Sequence, residues 1–103
     1  LDECVPRPLR RYLTGHDAET VPEMGWSGKK NGELLKLMAQ QAFEVFLTVD
    51  QNLRFQQNLS GAGVGIIVLV AATNRLADLL PLIPRVLSAM SSIQPGQLIE
   101  VGP

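Results

Sequence analysis

One cysteine and one histidine in 103 residues remove several common chemistries at once. Cys4 has no second cysteine for an internal disulfide, and no Cys or His group has zinc-ligand spacing. A reducing cytoplasm suits such a chain. A dominant charge is lacking too: 9 basic and 10 acidic residues give a formal net charge of −1. That balance is unlike the basic surfaces that grip nucleic acid over long tracts, although it leaves room for a local basic rim. Long apolar runs are missing as well. The longest, "VGIIVLVAA", is about half of what a membrane-spanning helix needs, and no charged-then-apolar leader opens the chain. The expectation is a soluble, unexported protein with no membrane partner. The chain begins without Met and in mid-strand, which implies native residues ahead of Leu1. Repeats and low-complexity segments are also absent.

What is present is a packing sequence. With 46% hydrophobic and 18% charged residues, the chain reads as globular, and its length suits a single domain over residues 1–103. Leu1 to Glu3 read as the end of a short strand. Pro6 and Pro8 then suit the first turn of a helix that puts Leu9, Tyr12 and Leu13 on one face and Arg7, Arg10 and Arg11 on the other, with Gly15 as its stop. "HDAETV" alternates weakly, as an edge strand does. "PEMGWSGKKNG" is a loop, and "ELLKLMAQQA" has helical spacing. "EVFLTV" and "GIIVLVAA" are near-continuous apolar runs, the mark of strands covered on both faces. Between them "DQNLRFQQNLSGAG" reads as a short helix and a loop.

From Leu76 to Ile93 a helical stripe runs through Leu79, Leu80, Ile83, Val86, Leu87 and Met90, and Pro81 and Pro84 should kink or split it. "PGQLIEV" adds a turn and a last strand. Five strands alternating with helical segments predict a three-layer α/β domain with a mostly parallel sheet.

Two apolar segments far apart in sequence stop on acids: "LDECVP" on Asp2 and Glu3, "FLTVDQN" on Asp50. Open α/β sheets bind ligands beyond the carboxyl ends of their strands, where chain order reverses. In a 2-1-3-4-5 order the three acids converge there, and their repulsion calls for a cation. Carboxylates without His or Cys favour Mg²⁺ or Mn²⁺, and such ions activate water for phosphodiester hydrolysis. An Asp after a strand is also a common helix cap or Asx-turn, so Asp50 has a second, purely local role open to it.

Three stretches, "LDECVPRPLRRYL", "GHDAETVPEMG" and "GELLKLMAQQAFEVFLTVDQNLRFQQN", together resemble the short bacterial PIN-like proteins. That pattern has an acid pair after the first strand, "GHD" before the second, a helix opening with an acid, and Thr-x-Asp closing the third strand. The likeness runs from Leu1 to about Val70. It implies a PIN-like three-layer α/β/α fold with a mostly parallel five-stranded sheet, a divalent-metal site and ribonuclease activity, often as the toxin of a toxin–antitoxin pair. By position it implies Asp2 and Asp50 as metal ligands, with Glu3 as the second acid of the first motif. Many relatives have an Asp where this chain has Asn31. An amide carbonyl can coordinate a cation but adds no charge, so affinity should fall unless Glu33 substitutes.

Other features have two readings each. Lys29 and Lys30 beside Trp26 suit a phosphate and a stacked base, or a solvated pair beside a ring that caps the core. Arg7, Arg10 and Arg11 form a solvated face or steer phosphate. Gln51, Asn52, Gln56, Gln57 and Asn58 suit a ribose or base edge as well as they suit loop backbone. Lys30, Arg7, Gln51 and Asn52 are therefore the candidate substrate contacts. "SGAGVG" precedes a strand, the wrong order for a phosphate loop. His16 reads as a surface residue, and Cys4 has no His partner for nucleophilic chemistry.

The leading expectation is a Mg²⁺- or Mn²⁺-dependent ribonuclease, with RNA as substrate and an antitoxin or a second copy as protein partner on the stripe of the last helix. A catalytically inactive PIN-like scaffold is the alternative that Asn31 motivates. A receiver-like signalling domain, with Thr73 after the fourth strand, is weaker because no Lys follows Lys36.

Overall fold

The computed structural model describes residues 1–51, 53 and 63–103. It is an α/β domain built on three parallel strands, β1 (Val45–Thr48), β2 (Gly65–Leu69) and β3 (Leu98–Val101), in the order β1-β2-β3. Val45 pairs with Gly65 and Ile66 with Leu98. Every residue of β2 is buried, as its unbroken apolar run requires of a central strand. Because side chains alternate across a sheet, Ile67 and Leu69 enter one core with Leu79 and Val86, while Ile66 and Val68 enter the other with Leu34 and Met38.

The helices supply those partners. Helix α1 (Asn31–Gln40) buries Leu34, Leu35 and Met38 against one face. The proline-interrupted stripe splits as expected into α2 (Leu76–Leu79), a 3-10 turn over Leu80–Leu82, and α3 (Ile83–Ser92). Pro81 and Pro84 each sit in the first turn of their element, where a missing N–H leaves no bond unmade. Leu76, Leu80, Leu87, Met90 and Ile93 are half-buried against the core, so most of the stripe is used within the domain and little is left to cover a partner.

Three strands stand where five were expected among the described residues. Leu1 and Asp2 do run beside β1, since the Asp2 N–H donates to the Leu47 carbonyl at 2.9 Å, and the Val21 N–H donates to the Leu1 carbonyl at 2.8 Å. Leu1 meets the 19–21 segment through two bonds, its nitrogen also donating to the Glu19 carbonyl at 2.7 Å, and meets β1 through one; neither contact extends into a ladder, so neither segment is a regular strand. The first helix is a 3-10 turn, Arg7–Tyr12, followed by Leu13 at φ −89° and ψ 63°. That bend carries Leu13 into the core beside Leu9 and leaves Tyr12 44% exposed. Tyr12 therefore does not share the buried face with the two leucines. The segment between β1 and β2 that was read as a short helix and loop lies largely outside the described residues.

A capping box closes the turn after Val21. The Thr20 hydroxyl accepts from the Glu23 N–H at 3.2 Å and donates to Glu23 Oε1 at 2.8 Å, while Glu23 Oε1 accepts from the Thr20 N–H at 3.3 Å. Arg10 Nη1 lies 2.8 Å from both Glu23 oxygens. The Thr20 hydroxyl above all, then Arg10, holds the Glu23 carboxyl below its ordinary value of 4.5. A carboxyl depressed in the fold stabilises above its unfolded value and loses that contribution as pH falls through the folded one. Wild type should therefore lose urea resistance below pH 4.5 more steeply than Glu23→Gln; parallel pH profiles of the two chains would remove Glu23 from the acid response.

Candidate functional site

The carboxyl end of β1 gathers the polar side chains. Thr48, with no exposed surface, and Asp2, 7% exposed, are two of the three buried polar or charged residues among the described residues. The Thr48 hydroxyl donates to Asp2 Oδ2 at 2.6 Å and accepts from the Asp50 N–H at 3.0 Å. Asp2 Oδ1 accepts from the Glu3 N–H at 2.8 Å. Asn31, the first residue of α1, donates its Nδ2 to Asp50 Oδ2 at 3.5 Å, a long bond. Local sequence explains the placement. Alternation along "VFLT" turns Thr48 to the side of the sheet that Phe46 faces, and the isolated bond from Asp2 to Leu47 brings the first acid alongside.

The Thr48 hydroxyl thus joins the Asp2 carboxylate to the Asp50 backbone, and Asn31 reaches the Asp50 carboxylate. Glu3 is turned elsewhere: its Oε2 accepts from the Gly28 N–H at 3.4 Å. Glu33 lies with Lys29, Lys30 and Asn31 around an open recess at the start of α1. Among the described residues no three His, Cys, Asp or Glu side chains group so as to hold a metal. The four-acid set of Asp2, Glu3, Glu33 and Asp50 is therefore not assembled. Glu3 follows Asp2 directly in sequence, but the chain turns there, the Val5 N–H donating to the Asp2 carbonyl at 3.0 Å, and the Glu3 carboxyl faces Gly28.

No family model matches the chain, and neither a curated protein nor a solved structure does. Chemistry therefore rests on the residues themselves. Two carboxylates and an amide are hard oxygen donors, and Mg²⁺ is commonly held by one or two carboxylates together with waters and substrate phosphate. Asp2 accepts one bond at each oxygen, and a carboxylate has about four lone-pair sites. Such a set fits one weakly held cation and falls short of two.

Thr48 stands in the Thr-x-Asp that closes this strand, yet sequence reasoning gave it no role of its own. The signal was a hydroxyl in the last place of an otherwise apolar strand, two residues before an acid. Thr48→Val keeps the shape but leaves Asp2 Oδ2 without that donor and the Asp50 N–H without its acceptor. Each orphaned group costs about 1–3 kcal/mol, so chemical denaturation should show a loss of at least about 1 kcal/mol; an unchanged midpoint would mean the hydroxyl orders nothing.

Cys4 sits at the rim of the same site, its Sγ 3.8 Å from the Thr48 hydroxyl, and its carbonyl accepts from Asn74 Nδ2 at 3.0 Å. Burial pushes the thiol above its ordinary value and the charge of Asp2 adds to the rise. A thiol so held is a poor nucleophile. Near pH ~8, where free thiols begin to ionise, iodoacetamide should alkylate Cys4 more slowly in the folded chain than in urea; equal rates would place the thiol in open solvent.

The proposed substrate contacts are scattered. Gln51 is exposed, whereas Asn52 and Gln56, Gln57 and Asn58 lie outside the described residues. Arg7 Nη2 lies 3.5 Å from Glu23, so Arg7 and Arg10 both face an acid of the chain. The Trp26 ring stands edge-on to Phe43 at 6.2 Å and 84° and packs against the α1 core, the arrangement of a core cap. Thr73 accepts from the Arg75 N–H at 3.0 Å and donates to Asp78, which makes it part of the turn into α2.

Proposed function

We propose that this chain is a PIN-like domain that hydrolyses RNA phosphodiester bonds with one divalent cation, Mg²⁺ or Mn²⁺, held by Asp2 and Asp50. The observation that carries the reading is the Thr48 hydroxyl bonded to both the Asp2 carboxylate and the Asp50 backbone. It ties two acids from distant parts of the sequence to one end of a parallel sheet, the end at which such sheets bind ligands. In this reading Leu1–Asp2 and 19–21 are the ends of two further strands of a five-stranded sheet, which agrees with the backbone bonds on each side of Leu1. A bound cation supplies charge neutralisation at the phosphate and a water of lowered pKa. The chain's own part is to hold the two carboxylates and, through Lys29 and Lys30 at the mouth of α1, to attract phosphate. An antitoxin is the protein partner that the PIN-like resemblance implies.

A second reading has its own observation. Asn31 presents its amide nitrogen to Asp50, and no third acid joins the pair among the described residues. A PIN-like scaffold that binds a cation weakly and works by protein association follows from that. Calorimetric titration with Mn²⁺ and Mg²⁺, with a labelled single-stranded RNA incubated alongside, separates the two. Binding with cleavage supports the nuclease, binding without cleavage the scaffold, and no binding returns Asp2 and Asp50 to structural roles.

A further inference from the structure

The loop after β2 runs across the end of β1. β2 neighbours β1 on one side, and the Leu1–Asp2 segment lies on the other, where the Asp2 N–H meets the Leu47 carbonyl. Chain leaving β2 nevertheless reaches that far side: Asn74 donates its Nδ2 to the Cys4 carbonyl at 3.0 Å, a bond between residues 70 apart in sequence. Residues 70–74 therefore pass beyond Thr48, close to the two acids that it joins. The next residues are tied down as well. Thr73 accepts from the Arg75 N–H at 3.0 Å and donates to Asp78, so the backbone that carries Arg75 is held by a side chain on each of the two residues before it.

Each face of the sheet contributes one rim to this end. α1 packs on the face of Phe46 and Met38, and Lys29, Lys30 and Asn31 stand at its start. The 73–75 turn leads into α2 on the opposite face, where Cys4 and Ala71 pack with Leu79. Asp2 and Asp50 lie between the rims. Asn31 reaches the Asp50 carboxylate from the first, and Asn74 reaches the carbonyl two residues after Asp2 from the second.

Arg75 is the charge on the second rim. It is exposed, and among the described residues no acid pairs with it. Asp78, three residues further on, is engaged by the Thr73 hydroxyl. Arg7 and Arg10 both face Glu23, and Arg85 donates to the Gly102 carbonyl. An unpaired guanidinium is a planar fork of N–H donors that matches a phosphate. Two carboxylates repel a nucleic-acid strand, so cationic side chains on either side of them are what can hold one across the site.

We propose that Arg75 holds an RNA phosphate on the α2 side of Asp2 and Asp50. The strand then crosses the end of β1 from the Lys29–Lys30 rim to Arg75, with the phosphodiester to be cut between the two. The choice of RNA rests on the nuclease reading above. Arg75 touches no cation and moves no proton; it places the strand.

The test measures binding before chemistry. A short fluorescein-labelled oligouridine is titrated with the full chain in EDTA, and its anisotropy is followed over a series of KCl concentrations. Each phosphate neutralised on a single strand contributes about 0.7 to the slope of log K against log salt. Arg75→Gln should therefore flatten the slope by about 0.7 and weaken binding at low salt about tenfold, as loss of one charge-assisted contact does. Its Tm should not move, because the side chain is exposed. Arg75→Lys should keep the slope. Lys36→Gln removes the same charge from an exposed position inside α1 and should bind as wild type does. A wild-type slope in Arg75→Gln would overturn the proposal, as would an equal loss in Lys36→Gln or a wild type that binds no oligouridine. Mn²⁺-dependent cleavage is followed in parallel on wild type, Asp50→Asn and Arg75→Gln, where the last should raise KM about tenfold with kcat unchanged. Cleavage lost in Asp50→Asn but with an unaltered KM in Arg75→Gln keeps the nuclease and rejects the Arg75 contact. A flattened slope with no cleavage by any of the chains upholds that contact and rejects the nuclease.

Discussion

Asp50→Asn is expected to lose Mn²⁺ binding and RNA cleavage together, with the fold intact. The substitution keeps the size of the side chain and the backbone N–H that Thr48 accepts, so the local turn has no reason to open. It removes one of the two charges of the site, and the neighbouring Asn31 amide brings none. Loss of an outer-shell partner typically costs 10–100-fold in metal affinity; for a direct carboxylate ligand in a two-carboxylate site the loss should exceed about 100-fold. Calorimetry reads the affinity, the labelled RNA reads the cleavage, and circular dichroism checks the fold. Cleavage that survives in Asp50→Asn would remove the carboxylate from the chemistry. Thr48→Val makes an informative companion, because it touches no cation directly: if Thr48 only orients Asp2, its affinity loss should fall in the 10–100-fold range, between wild type and Asp50→Asn.

The parts of the fold that could be read from sequence are those in which one physical term dominates. β2 is apolar at nearly every position because both its faces are covered, and no other local pattern competes with that reading. The split of the last helical stripe followed from Pro81 and Pro84, whose rings and missing N–H groups admit few alternatives. The edges were harder. Leu1–Glu3 and "HDAETV" carry the right residues for strands, yet their backbone bonds are confined to the neighbourhood of Leu1 and Asp2, and strand regularity depends on a neighbour along the whole length. Tyr12 was assigned to the buried face on a 3.6-residue period, but a 3-10 turn and the bend at Leu13 replaced that period. Residue types pointed to Asp2 and Asp50, and the Thr48 hydroxyl meets the carboxylate of the first and the backbone N–H of the second. Glu3 entered as the second acid of the first motif and Glu33 as a substitute for the acid that Asn31 replaces, and a sequence pattern says nothing about side-chain direction. Thr48 has a role that only three-dimensional neighbours could assign, since its two partners come from opposite ends of the first half of the chain.

Phe46→Ala should cost more stability than any other substitution considered. Phe46 has no exposed surface and heads the largest fully buried side chains. It lies in the middle of β1, two residues before Thr48, and packs in the α1 core with Leu34, Leu35 and Met38. Truncating a buried Phe to Ala removes its transfer free energy and leaves a cavity, together about 3–5 kcal/mol. A domain of this size has about 5–15 kcal/mol in total, so the variant should melt at least about 12 °C lower and sit near unfolding at the lower end of that range. Tyr12→Ala is the control, because a half-exposed ring away from the core should cost far less. A small, mostly apolar cavity lined by Val45, Phe46, Met38 and Trp26 decides the size of the effect. If the core around Met38 and Trp26 can relax into that space, the cavity left by Phe46 collapses in part and the loss moves toward 3 kcal/mol; a rigid wall keeps it near 5. A measured loss below about 2 kcal/mol would mean that β1 is not the packed centre of this face, and the placement of Thr48 and Asp50 at its end would lose its support.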